Sequence, residues 1–302
     1  MSRIVIKEVS KVYKNKAKDI KALDDVSFEV TSGEIVCVLG HNGAGKTTLI
    51  KMICGLLKPT SGSIEIDDIN IINNMNYAHE KCGAVLEGAR NIYYYMSARE
   101  NIEYFGLLNG LDKNTISKKS DYYLELFGLK EFANSNVGTF SRGMQQKLAI
   151  IIALIKDPKI ILLDEPTLGL DIITSESIKD IIRNLAKEFN KTIIVTTHDI
   201  DFIESINSRT IFMRKGEVIK DTTLGSLKKG DTISIYKVVF KGDGVLPKDA
   251  VINTSEGDVI EFETKDEEWV SNNISNASVL QLEKNVVPFA DIYRSVMENE
   301  DE

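Results

Sequence analysis

The sequence has no long apolar run: its longest, Leu148–Ile155, lies between Lys147 and Lys156 and falls far short of the roughly 20 residues that cross a bilayer. No spanning segment is expected. The N-terminal stretch Arg3 to Glu8 alternates apolar and polar residues and lacks the continuous apolar core of a secretory signal, so a cytosolic location is expected. Cysteine is scarce: Cys37, Cys54 and Cys82 are odd in number and widely spaced, which argues against a disulfide framework or a CxxC metal site. They read as buried thiols. Positive charge is not in excess either, since the net charge is −8 and residues 231–302 hold 6 basic against 16 acidic side chains. Such a tail is repelled by phosphate backbones and anionic lipid heads, so neither wide nucleic-acid contact nor direct lipid contact is expected. Internal repeats and low-complexity segments are missing.

What is present is a length of 302 residues, enough for one domain of ordinary size and a smaller one. Residues 4–9, 26–30, 35–39 and 63–67 carry strand patterns, and 98–132 changes to helical spacing around Ile102, Phe105, Leu108 and Leu124, with Gly106, Gly110 and Gly128 read as breaks. Strand character returns at 160–163 and 192–196, each after a helical stretch (about 142–155 and 174–189), an order that implies parallel strands joined by crossover helices. A hairpin around Lys215-Gly216 closes the first domain. The boundary is placed in Gly225 to Asp231, followed by strands at 233–240, 259–264 and 279–283 and helices at 266–274 and 289–298, a small α+β domain.

Two elements carry chemistry. Gly40-His41-Asn42-Gly43-Ala44-Gly45-Lys46-Thr47 fits GxxxxGK[ST] between a strand and a helix that continues through Thr48. Glycines let backbone N–H groups wrap phosphate, the helix start adds positive dipole, Lys46 reaches the terminal phosphates and Thr47 offers a hydroxyl to Mg²⁺. The second is Ile160-Ile161-Leu162-Leu163-Asp164-Glu165, a buried strand ending in two carboxylates at the edge where open α/β sheets bind ligands. Asp164 is suited to the metal's water shell, and Glu165 to polarising an attacking water.

From these motifs the chain resembles the ABC (ATP-binding cassette) ATPase family over about residues 3–225. Phe140-Ser141-Arg142-Gly143-Met144-Gln145-Gln146 is similar to the family's signature motif, which implies that Ser141 and the Gly143 backbone meet phosphate oxygens. Pro166 to Asp171 is similar to the D-loop, which brings Asp171 into the nucleotide-binding set. Thr196-Thr197-His198-Asp199 resembles the switch-histidine motif, implying that His198 senses the γ-phosphate and helps hold the attacking water. Tyr13 resembles the aromatic residue that stacks on adenine. Two positions depart from the pattern: Glu87 stands where a glutamine is usual, able to bind Mg²⁺ or order water but not to donate from an amide, and Arg142 replaces a glycine.

The resemblance implies a P-loop NTPase fold, an α/β cassette with a RecA-like core, an antiparallel β subdomain and a helical subdomain at about 88–155. On this reading residues 1–229 form the cassette and 230–302 an acidic accessory domain. It further implies an ATP- and Mg²⁺-dependent ATPase that pairs head to tail with a second cassette, at the inner face of the cell membrane, through a separate permease. Residues 90–96, with three consecutive tyrosines, are the expected permease contact, unless those rings pack on the helical insertion. Glu87 and Arg142 resemble variants found in exporters of drugs, antibiotics and lipids. The alternative is a soluble ATPase of the same superfamily that acts on ribosomes or DNA; such proteins usually carry two cassettes or a long coiled coil, which this sequence does not show.

Overall fold

The computed structural model describes residues 2–15, 18–87, 92–223, 234–241, 246–256, 259–264, 266–273 and 279–286, and the chain divides into two compact units, Met1–Thr223 and Leu224–Glu302. In the first unit, β1 (Ile4–Tyr13), β2 (Ile20–Val30), β4 (Ser61–Ile66) and β5 (Ile69–Asn70) form an antiparallel sheet in the order β2-β1-β4-β5. A second sheet runs β10-β9-β3-β8-β7-β6, built from β3 (Ile35–Leu39), β6 (Cys82–Val85), β7 (Ile160–Asp164), β8 (Thr192–Thr197), β9 (Arg209–Arg214) and β10 (Glu217–Thr223). Its inner pairs, β3 with β8 and β9, β7 with β8, and β6 with β7, are parallel. All five residues of β7 and all six of β8 are buried, the pattern of strands covered on both faces. The expected crossover arrangement is therefore present.

Helix α1 (Lys46–Ile53) follows β3 and buries Leu49, Ile50 and Ile53 in a core shared with Ile4, Ile6, Val26 and Ile64 of the antiparallel sheet and Leu162 and Ile194 of the parallel one. That shared core fixes the loop between β3 and α1. The helical insertion comprises α3 (Ala98–Leu108), α4 (Lys113–Leu126), two 3₁₀ turns at Lys130–Phe132 and Val137–Thr139, and α5 (Arg142–Leu154). Ser97 and Glu100 close a reciprocal capping box at the start of α3. Gly110 and Gly128 end helices with φ of 76° and 68°, as expected of glycine just past a helix end. Gly106 corrects the sequence reading: it lies inside α3, and a Cβ there would come within 2.7 Å of Ile116, so glycine serves close helix packing and breaks nothing.

Elements that the sequence reading passed over are short: β5, α2 (Met75–Lys81), β6 and α7 (Ile200–Ile206). Helix α6 (Ile172–Lys187) returns the chain from β7 to β8. All three cysteines are free and buried, and burial pushes the Cys37 thiol up to about 12, which makes it inert at neutral pH.

The second unit pairs β11 (Ser234–Lys241), β12 (Val251–Glu256), β13 (Val259–Thr264) and β14 (Val279–Val286) in the antiparallel order β12-β13-β11-β14, with α8 (Glu267–Asn273) after β13. Tyr236, Val238, Phe240, Phe262 and Val270 form its core, and Trp269 packs edge-on to Phe262 at 5.4 Å. Strand β12 was not foreseen. The boundary at 225–231 and the helix expected at 289–298 lie outside the described residues. Among the described residues, no helix is long and apolar enough to cross a membrane.

Candidate functional site

The loop from Gly40 to Gly45 is shaped by contacts that only glycine permits. A Cβ at Gly40 would lie 2.5 Å from the Met213 carbonyl, and Gly45, at φ 101°, would place one 2.4 Å from the Ala22 carbonyl. Gly43, at φ 85°, faces open space. The loop is thereby pinned on two sides and left free where a ligand would enter. Lys46 is buried, and its Nζ donates to the carbonyls of Gly40 at 2.6 Å and His41 at 3.4 Å. His41, Asn42, Gly43, Ala44, Gly45, Lys46, Thr47 and Thr48 line a cavity of about 400 Å³ together with Tyr13, Glu87 and Glu165. Tyr13 ends β1 half-exposed, with the Lys11 ammonium 5.4 Å from its ring centre.

The carboxylates sit at the tip of β7, which β8 separates from β3. Asp164 ends β7, and its Oδ1 accepts from Thr196 Oγ1 at 2.5 Å while Oδ2 accepts a longer bond from the Glu87 N–H at 3.4 Å. Glu165 turns out of the strand with φ 50°, left-handed and rare outside glycine and asparagine. Its Oε2 lies 2.9 Å from His198 Nδ1. Lys46 Nζ approaches Oε1 at 3.1 Å as an ion pair without the direction of a hydrogen bond, so this buried oxygen has no hydrogen-bond donor. A single carboxylate thus touches both Lys46 and His198. Glu87 itself is exposed at the cavity rim.

The sequence points to Thr47, Asp164 and Glu87 as metal ligands. Among the described residues, no group of three or more His, Cys, Asp or Glu could hold a metal by itself. One hydroxyl and one or two carboxylates fit a small hard cation that takes its remaining oxygens from phosphate and water, as Mg²⁺ does. The donor set and the unsatisfied Glu165 Oε1 beside the cradle are compatible with Mg²⁺–nucleotide.

Ser141, Gly143 and Asp171 are placed elsewhere; none of them lines the phosphate-loop cavity. Ser141 caps α5, its Oγ accepting from the Met144 N–H at 3.3 Å. Asp171 caps α6, accepting from Thr174 N–H at 2.9 Å and Thr174 Oγ1 at 2.7 Å, bonds that hold its carboxyl below the usual range. Gly143 is buried, and a Cβ there would strike Thr174 Cγ2 at 2.1 Å. Thr174, which the sequence reading did not single out, therefore joins the signature and D-loop segments. Nearby, Ile172 and Ile173 are 83% and 84% exposed. Glu87 and Arg142, the two departures from the motif pattern, line one further cavity of about 300 Å³ with Asp164, Glu165 and Leu168. Of residues 90–96, Arg90 and Asn91 lie outside the described set, Tyr93 packs on Tyr104 and Phe105, and Tyr95 is 96% exposed.

A glycine-shaped loop opening a helix, a buried lysine, and Asp-Glu at the tip of a second strand of the same parallel sheet define a P-loop nucleoside-triphosphate hydrolase. The family model described as ABC transporter matches residues 23–168. ABC transporter ATP-binding protein NatA of Bacillus subtilis is 38% identical, over 78% of this chain and 96% of NatA. Bacitracin transport ATP-binding protein BcrA of Bacillus licheniformis is 37% identical, over 69% and 67% of the two chains. Methionine import ATP-binding protein MetN of B. subtilis is 32% identical, over 78% and 67%. Among solved structures, the ATP-binding cassette MJ0796, a dimer in a post-hydrolysis state bound to ADP and Pi, superposes with a TM-score of 0.67 at 33% identity, over 73% of this chain and 98% of that one. The chain belongs to the ABC transporter ATP-binding family, and it is an ATPase subunit.

Proposed function

We propose that the chain powers export of a hydrophobic or antibiotic-like cargo through a separate permease, by closing on a second cassette around ATP. The observation that carries the pairing with a second cassette is the division of the site: the cradle and its base lie together, while Ser141, Gly143 and Asp171 lie apart from that cavity. A second cassette arranged head to tail would bring its own Ser141 and Gly143 to the cradle, and the exposed Ile172 and Ile173 beside Asp171 would lose water on closure. Binding then favours the closed pair and hydrolysis reverses it.

Within the cradle, Tyr13 stacks on adenine, residues 40–45 wrap the phosphates with backbone N–H groups, and Thr47 and Asp164 hold Mg²⁺. Bound there, Mg²⁺ would supply positive charge against the phosphates. Glu165 is held between Lys46 and His198. A γ-phosphate competes for both of these partners, which frees Glu165 to accept a proton from water while His198 turns to the phosphate. Glu87, whose backbone holds Asp164, reports the change to the permease side.

Export is favoured by Glu87 and Arg142, which resemble exporter variants, and by the likeness to the bacitracin transport subunit; the likeness to a methionine importer is the competing direction. The permease contact is assigned to residues 90–96, where Tyr95 stands free of the fold. The chain then sits at the inner face of the membrane. The acidic residues 230–302 act in regulation or in dimer stability.

Mixing a Lys46→Ala chain with a Ser141→Ala chain tests the divided site, because mixed pairs alone contain one intact composite pocket. Recovery of turnover on mixing is expected; no recovery alongside full cross-linking of the mixed pair overturns the arrangement. Uptake against efflux in inverted vesicles holding the permease complex decides direction. Truncation after Lys229 that leaves dimerisation, ATPase rate and transport unchanged removes the role given to the tail.

A further inference from the structure

Thr196 lies within β8, wholly buried and directly opposite Asp164 in the parallel register of β7 and β8. Val195, Ile194 and Ile193 precede it, and a valine of similar volume would suit the strand as well. The sheet does not need the hydroxyl, because the Glu165 N–H already donates to the Thr196 carbonyl at 3.1 Å. The hydroxyl nevertheless makes two further contacts. It donates to Asp164 Oδ1 at 2.5 Å, and its oxygen accepts from the Glu165 N–H at 3.2 Å.

Asp164 is only 2% exposed, so water is a poor substitute for that donor. Among the described residues its other oxygen has only the 3.4 Å bond from the Glu87 N–H, and the terminal torsion of an aspartate is intrinsically broad. Glu165 follows in a left-handed backbone conformation that must be held by its surroundings. Two residues beyond Thr196, His198 meets the Glu165 carboxylate at 2.9 Å.

We propose that Thr196 is a positioning residue for ATP hydrolysis: its hydroxyl sets the rotation of the Asp164 carboxylate toward the Mg²⁺ side and fixes the turn that aims Glu165. The proposal rests on the roles given above to Asp164 and Glu165. It differs from a packing role because it concerns two hydrogen bonds that valine cannot make and serine can.

The test uses the full chain with Thr196→Val, Thr196→Ser and, as a check on the site itself, Asp164→Asn. Steady-state ATPase kinetics are read beside equilibrium binding of a fluorescent ATP analogue, once in EDTA and once with Mg²⁺. Thr196→Val is expected to lower kcat about tenfold or more while its affinity in EDTA stays within about twofold and the gain from Mg²⁺ shrinks. Thr196→Ser is expected to return kcat to within about threefold of the parent. A valine variant with parental kcat, one whose EDTA affinity falls in step with kcat, or a serine variant as impaired as valine each overturns the proposal. If the valine chain does not fold, Thr196→Ala against Thr196→Ser carries the same comparison. Parental turnover in Asp164→Asn would overturn the site reading and this proposal with it; an inactive Asp164→Asn beside a parental Thr196→Val overturns this proposal alone.

Discussion

Two regions of the first unit handle their polar atoms in opposite ways. Around the phosphate loop, a buried carboxylate oxygen of Glu165 lacks a hydrogen-bond donor and a buried lysine is kept close to it. At the starts of α5 and α6, Ser141 and Asp171 are satisfied locally, by Met144 and Thr174. The first region keeps an unmet acceptor beside a buried cation; the second satisfies its capping side chains within its own helices. Substitutions in the first should therefore register in nucleotide binding and chemistry at the single chain's own cradle, and those in the second in the stability of the free chain and in turnover of the closed pair.

The largest expected effect is that of Glu165→Gln, which removes the proposed base; kcat should fall by about 10²–10³-fold with ATP binding retained. Near-parental turnover in a phosphate-release assay would break the comparison at its strongest point. Lys46→Ala comes next, with nucleotide affinity weakened by about 10- to 100-fold in an equilibrium binding assay, the scale of lost charge-assisted bonds. Gly143→Ala sharpens the contrast. The new methyl forces Thr174 aside and should cost about 1–3 kcal/mol, seen as a lower Tm, with ATP affinity of the isolated chain unchanged.

The smallest effect concerns pH. The Asp171 carboxyl is held below its ordinary value of 3.8 by the Thr174 N–H and hydroxyl, so its folded-state pKa lies beneath the unfolded one. A depressed carboxyl contributes stability above the unfolded value and loses it as pH falls through the folded value. Asp171→Asn should therefore lower Tm by a near-constant amount between about pH 5 and 7, the difference narrowing only below about pH 4. A difference that widened toward acid would contradict the cap.

Much of this was legible in sequence because the signals are local. The phosphate loop reads from eight consecutive residues, and β7 from an unbroken apolar run before Asp164-Glu165. Strand β6 escaped because Cys82 to Val85 is too short to show a period, and its Gly83 reads as loop although a Cβ there would meet the Ala153 carbonyl at 2.4 Å. Gly106 misled for the same reason: a glycine required by a neighbouring helix looks like one that ends its own. The Thr196–Asp164 bond joins residues 32 apart and only strand register brings them together. Thr174 likewise gains its meaning from Gly143, on another helix.

The left-handed peptide at Glu165 has one further consequence. Asparagine or glycine would rest more comfortably in that conformation, so a selection for heat resistance alone would tend to discard glutamate at this position. Thermal endurance and work output thus pull in opposite directions on a single residue, and a laboratory-evolved thermostable version of the subunit should be checked there first for lost motive power.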